Sequence, residues 1–179
     1  MNYPIEDILH QHSGLLSRVA STYEASESIR QELYQEICIA VWQGMARYKG
    51  DASIKTYILR IAHNRCISHV SKEAKIAPSE SFTEQTDTDF NHTDSEDDAA
   101  AMYASNLPTP EQTMLQSRQL EQLLAEIRQL KMPQRQVITL SLEGLSYQEI
   151  ADITGVNSGN VGVMITRLKS ELQRKLQDE

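Results

Sequence analysis

Apolar residues along the chain recur in steps of three and four, the spacing that lines one face of an α-helix. Ile5, Ile8 and Leu9, then Leu15, Leu16 and Val19, predict either one broken helix or two short ones around Ser13-Gly14. Ile29, Leu33, Ile37 and Val41 predict a second helix, with Ser26 as its N-cap and Gln31, Glu32, Gln35 and Glu36 on a polar, acidic face. After a connection closed by Gly50, Ser53 is placed to cap a third helix. Its Ile54, Tyr57, Ile58, Ile61 and Ala62 form the buried stripe, with Arg60, His63 and Asn64 partly off that face.

The same spacing returns later in the chain. Leu120, Leu123, Leu124, Ile127 and Leu130 mark one amphipathic helix, and Pro133, at a first-turn position, opens another through Val137, Ile138 and Leu140 to Gly144. Ser146-Tyr-Gln-Glu149 then has the capping-box pattern, in which a hydroxyl and a carboxylate each satisfy an otherwise unpaired backbone donor. It predicts a short helix from Tyr147 to about Thr154, a turn at Gly155, and a last helix capped by Asn157 or Ser158. Val161, Ile165, Leu168 and Leu172 bury one side of that helix, giving a helix-turn-helix. Its outer side carries Ser158, Asn160, Val163, Thr166, Arg167 and Lys169, a mixture of base-reading and phosphate-binding groups.

Between these two helical stretches the periodicity stops. Residues 73–112 are rich in Ser, Thr, Asp and Glu, with Pro at 78, 108 and 110, a composition that favours disorder. The net charge of -8 belongs largely to this stretch, which holds 10 acidic residues against 1 basic, while residues 1–72 hold 7 against 8 and residues 113–179 hold 8 against 8. The expected organisation is therefore two small all-α domains, 1–72 and 113–179, on an acidic linker that lets them touch separate parts of a large partner. The linker is read chiefly as a solubilising tether; the sharper reading is that it screens the basic stretch from Arg47 to Lys72.

Composition narrows the chemistry. Only 6% of residues are aromatic and 7 are Gly, which speaks against a sheet-rich fold. The longest apolar run, Ile37 to Trp42, is far short of the roughly 20 residues of a membrane helix, so no membrane insertion is expected and the reading is cytoplasmic. Cys38 and Cys66 sit in apolar helical patterns and read as small hydrophobes. His63, Cys66 and His69 advance by three along a helix and do not converge on one ion. Asp94, Glu96 and Asp98 echo a calcium loop without its turn Gly or closing Glu. With no phosphate-cradling loop and no nucleophile in a catalytic setting, neither an enzyme, a metal site nor a cofactor is expected.

Several segments taken together resemble the extracytoplasmic-function (group 4) sigma factors of bacterial RNA polymerase. They are ELYQEICIAVW (Glu32 to Trp42), YKGDASIKTYILRIAHNR (Tyr48 to Arg65), LPTPEQ, LSYQEIADITGVNSGNV and TRLKSEL. The resemblance implies an initiation factor that gives core polymerase promoter specificity and does no covalent chemistry. It implies that Glu32, Gln35 and Glu36 contact the beta-prime clamp helices, and that the second domain meets the beta flap. Tyr48, Lys49, Lys55, Tyr57, Arg60, His63, Asn64 and Arg65 would hold the -10 element, and Ser158, Asn160, Val163, Thr166, Arg167 and Lys169 the -35 element. An anti-sigma partner is implied as the means of control.

Three departures from the family pattern stand out: Tyr57 where Trp is usual, Gly162 and Met164 where the recognition helix is usually basic, and Ser68-His69-Val70-Ser71 in place of an acidic, paired-Arg ending. Each removes cation or stacking area, so specific promoter binding is expected to require core polymerase. The alternative from another class is an independent helix-turn-helix regulator whose first domain is a sensor or protein-docking bundle.

Overall fold

The computed structural model describes residues 5–76 and 110–177. They form seven α-helices and, among the described residues, no strand: α1 (Ile5–Tyr23), α2 (Glu27–Met45), α3 (Ile54–Ile76), α4 (Pro110–Gln129), α5 (Met132–Leu142), α6 (Tyr147–Thr154) and α7 (Ser158–Gln177). The ordering is the expected one, with α3 running past residue 72 and α4 starting before 113. The segment between 76 and 110 lies outside the described residues, and with it the linker readings and the calcium-loop echo.

Local chemistry explains most helix ends. Ser53 Oγ accepts from Thr56 N at 3.1 Å at the start of α3, and Pro133 sits in the first turn of α5, where its missing N–H costs nothing. The capping box of α6 is complete in both directions, and Gly155 closes that helix in the left-handed region at φ 76°. Asn157 caps α7, its Oδ1 accepting from Gly159 N at 2.9 Å. One expectation fails. α1 is continuous through Ser13-Gly14, because the Ser13 hydroxyl donates back to His10 O at 2.8 Å within the turn. Ser26 stands at the N-cap of α2 without using its side chain; its backbone N–H is held by Glu24 Oε1 at 2.7 Å.

α1, α2 and α3 pack around Leu16, Val19, Leu33, Ile37, Val41, Ile58, Leu59 and Ala62, all at most 1% exposed. Burying each Leu or Ile of this set stabilises by about 1.5–3 kcal/mol. Gly44 makes room for Ile61: a Cβ there would stand 2.5 Å from Ile61 Cδ1, so a larger residue would force that side chain to shift. In the second half Ile127, Leu130, Ile138, Leu168 and Leu172 make a cluster joining α4, α5 and α7.

The two halves are docked. Val137, Leu140, Leu145, Ile150, Val161 and Ile165 belong to the same contiguous core as the residues of α1–α3. Arg18 grips Glu143 with two hydrogen bonds of 2.8 Å, and Lys55 Nζ donates to the Glu143 carbonyl. Thr56 Oγ1 donates to Glu149 Oε1 at 2.6 Å, and Arg128 Nε to Ser21 O at 3.0 Å. The Arg135 guanidinium lies 5.5 Å from the centre of the Tyr23 ring, a cation–π contact across the seam.

Candidate nucleic-acid interface

α2 turns Leu33, Ile37 and Val41 inward, which leaves Glu32 and Gln35 exposed and Glu36 half-buried. On the same outer side lie two apolar side chains that the inward ladder does not use, Ile39 at 56% and Trp42 at 58% exposure. The sequence reading passed over both. Their signal was visible as apolar residues out of step with the four-residue repeat. Large exposed apolar groups set among polar ones are a common mark of a docking face.

The connection to α3 and its first turns hold a stack of three side chains. Tyr57 is half-buried, and its hydroxyl donates to Gly44 O at 2.9 Å, pinning the ring. The Tyr48 ring lies 5.0 Å away, tilted by 48°, its own hydroxyl bonded to Ala52 O at 2.5 Å. The Arg60 guanidinium covers the Tyr57 ring at 5.3 Å. Two aromatic faces and a cation held in register suit unstacked nucleobases and the phosphates beside them. Lys49 and Asn64 are exposed nearby. Lys55 is half-buried at the seam with the second half, and Arg65 is paired with Glu36, Nη2 to Oε2 at 3.0 Å.

His63 does not belong to this surface. It is fully buried, with Nδ1 at 2.8 Å from the Tyr23 hydroxyl and Nε2 without a hydrogen-bond partner. Its expected place among the promoter contacts is corrected by its partner: Tyr23, 40 residues earlier, draws the ring into the core. Burial disfavours the imidazolium and pushes its pKa down to about 3. The same burial raises the Tyr23 phenol and the Cys66 thiol well above their usual ranges. This neutral cluster is structural. Among the described residues no group of His, Cys, Asp and Glu is placed to hold a metal ion.

In the helix-turn-helix, α7 exposes Ser158, Asn160, Thr166, Arg167 and Lys169, with Val163 half-buried. The capping carboxylate Glu149 accepts from Thr56, Ser146 N and Ser146 Oγ, which together hold it below the usual carboxylate range. A further residue beside α7 escaped the sequence reading: Tyr147, 52% exposed, lies against Gly162, where a Cβ would meet its Cε2 at 3.2 Å.

Comparison with known proteins covers both halves. Sigma-70 region 2 matches residues 8–76, and Sigma-70, region 4 matches residues 120–172. The ECF RNA polymerase sigma-E factor of Haemophilus influenzae is 28% identical over 92% of this chain and 81% of its own length. The RNA polymerase sigma-H factor of Pseudomonas aeruginosa is 27% identical over 94% and 82%. Among solved structures, the sigma factor RpoE in complex with the anti-sigma factor NepR from Bartonella quintana superposes with a TM-score of 0.66 at 18% identity, covering 96% of each chain. CnrH in complex with the cytosolic domain of CnrY gives 0.61 at 15% identity, covering 98% of this chain and 88% of that one. No described helix is long and apolar enough to cross a membrane.

Proposed function

Because the chain belongs to the extracytoplasmic-function group of the sigma-70 family and serves as an RNA polymerase sigma factor, we propose a division of labour that follows its surfaces. The outer face of α2 docks on core polymerase at the beta-prime clamp helices, with Ile39 and Trp42 as apolar anchors inside a polar rim of Glu32, Gln35 and Glu36. This exposed apolar pair, on the face of α2 opposite the buried Leu33, Ile37 and Val41, is the observation that carries the reading, since interface energy concentrates in such anchors. The second half meets the beta flap. Nucleotide transfer belongs to the core enzyme, and the factor works in the cytoplasm where polymerase and chromosome meet.

The stack of Tyr48, Tyr57 and Arg60 receives bases of the -10 element as the duplex opens, with Lys49, Asn64 and Arg65 on neighbouring phosphates. α7 enters the major groove of the -35 element. The -10 and -35 elements lie at separate places along the duplex, and the side chains assigned to them sit on different halves of the protein, α3 and α7. In this reading the docked halves separate when both elements are held, and Lys55 leaves the Glu143 carbonyl for DNA. An anti-sigma partner acts by holding the halves together or covering α2, in keeping with the RpoE–NepR complex above. An independent regulator is not favoured, because the family match extends across the first half as well as the helix-turn-helix.

The test is reconstituted transcription. Full-length protein with a bacterial core polymerase should give specific transcripts from a promoter library where core alone gives none. Failure to bind a core polymerase that accepts related factors would overturn the reading.

A further inference from the structure

α7 begins Ser158-Gly-Asn-Val-Gly-Val-Met-Ile165, two turns without a Lys or Arg; its first cation is Arg167. In a major groove guanine is read chiefly by Arg or Lys, adenine by Asn or Gln, and thymine by carbon packed on its methyl group. The entering end of this helix thus lacks the usual guanine reader and keeps an adenine reader, the exposed Asn160.

The gap left at Gly162 is occupied. Tyr147 stands at the first position of α6, directly after the N-cap Ser146 and within the complete capping box that fixes its backbone. Its ring edge lies where a side chain on residue 162 would begin, with Cε2 at 3.2 Å and Cδ2 at 3.6 Å from a Cβ built there. The ring is nonetheless half open to solvent, at 52%. One turn on, Thr166 is exposed and its hydroxyl donates to Gly162 O at 3.1 Å, which occupies the polar end of the side chain and leaves the methyl group as its unpaired part.

Resting on the reading of α7 as the -35 helix, we infer that Tyr147, seated on Gly162, is a specificity-determining residue of the -35 contact. Its ring, with Val163 and the Thr166 methyl, presents carbon to thymine methyls, while Asn160 takes an adenine. This chain therefore selects A·T pairs under the first two turns of α7. Gly162 is part of the device, because any larger residue there displaces the ring, and a Lys would also bring in a guanine reader.

The experiment is transcription by holoenzyme, full-length chain plus core polymerase, from a library randomised across the -35 element, with transcripts sequenced. Wild type should enrich A·T at the positions under the start of α7. Tyr147→Phe should keep that preference, Tyr147→Ala should weaken it about 5- to 10-fold at one or two positions, and Gly162→Lys should move one position toward guanine. Since Tyr147 is exposed, equal thermal melting and equal core binding of Tyr147→Ala would assign the change to DNA reading. Guanine enrichment by wild type at those positions, or an unchanged preference in Tyr147→Ala, overturns the inference and leaves the -35 reading standing. No enrichment at all by an active holoenzyme removes that reading and the inference with it.

Discussion

The two halves carry their candidate DNA contacts in opposite ways. In the first half several such side chains already have a partner within the same half: Tyr57 on Gly44, Arg60 on the Tyr57 ring, Arg65 on Glu36. In the second half Ser158, Asn160, Thr166 and Lys169 are open to solvent on a helix whose first two turns hold no cation. A surface held by internal bonds loses little freedom when it binds, so each of its residues should matter individually. An open helix with no cation in its entering turns depends more on being delivered to its site, which fits a factor that binds promoters as part of a larger enzyme.

The comparison is broken most directly at α2. Trp42→Ala should lower affinity for core polymerase by about 30-fold or more, near 2 kcal/mol, as expected for a buried aromatic anchor. Its thermal stability should stay close to wild type, because Trp42 is 58% exposed in the free protein. Binding measured by titration of labelled protein with core would check this. An unchanged affinity would mean that the apolar face of α2 is not where polymerase docks.

Acid should separate the halves by stability. His63 has a folded pKa of about 3 against 6.5 for the free side chain, so below pH 6.5 the unfolded chain takes up a proton that the folded one refuses. The stability His63 permits is full above pH 6.5 and is lost as pH falls from there toward 3. The loss is roughly 2 kcal/mol by pH 5. Glu149, held below its ordinary 4.5 by its hydrogen bonds, acts in the same direction but only at lower pH. Residues 113–179 contain no His, so between pH 6.5 and 4.5 the loosening should appear in α1–α3 and not in α4–α7. Hydrogen exchange resolved by segment would show it, and His63→Gln should flatten the profile.

The stack on α3 gives the next effect. Tyr57→Ala should slow promoter opening about 10-fold, within the 1–3 kcal/mol range of a lost base–aromatic contact, and leave -35 recognition unchanged. Tyr57→Phe keeps the ring and loses only the bond to Gly44 O, so it should fall between. Opening followed by a fluorescent base in the -10 element would rank the three proteins; equal rates would remove bases from the stack.

Much of this was legible in the sequence, for local reasons. The helix-turn-helix was readable because Ser146, Glu149 and Gly155 act within their own turns, and α2 and α3 because their apolar steps are regular. What escaped depends on distant partners. His63 looks like one more polar residue beside Arg60 until Tyr23 is seen across α1. Arg18 and Glu143, 125 residues apart, carry no pattern that pairs them, so the docking of the halves was invisible. Glu149 was assigned its capping role correctly, yet its second bond, to Thr56, is a tertiary fact. The departure at Gly162 was seen as a lost cation, but the ring that fills the space shows only in three dimensions.

The smallest effect lies at the seam itself. Arg18 meets Glu143 with two well-formed bonds, but the Arg18 side chain is 63% exposed, so solvent screening limits the pair to under about 1 kcal/mol. A double-mutant cycle of Arg18→Ala and Glu143→Ala should return a coupling of that size, read from the distance between fluorophores on α2 and α7. The single variants should shift the free protein toward separated halves by up to about fivefold, and high salt should do the same to wild type. Thr56→Val, which removes the bond to Glu149 without removing a charge, should open the seam in a manner indifferent to salt. If all three variants leave the distance distribution unchanged, the shared apolar core of Val137, Leu140 and Leu145, with the remaining contacts of Lys55, Arg128 and Arg135, holds the halves together without the Arg18–Glu143 and Thr56–Glu149 bonds, and separation must be driven by binding to polymerase, not by loss of those two contacts.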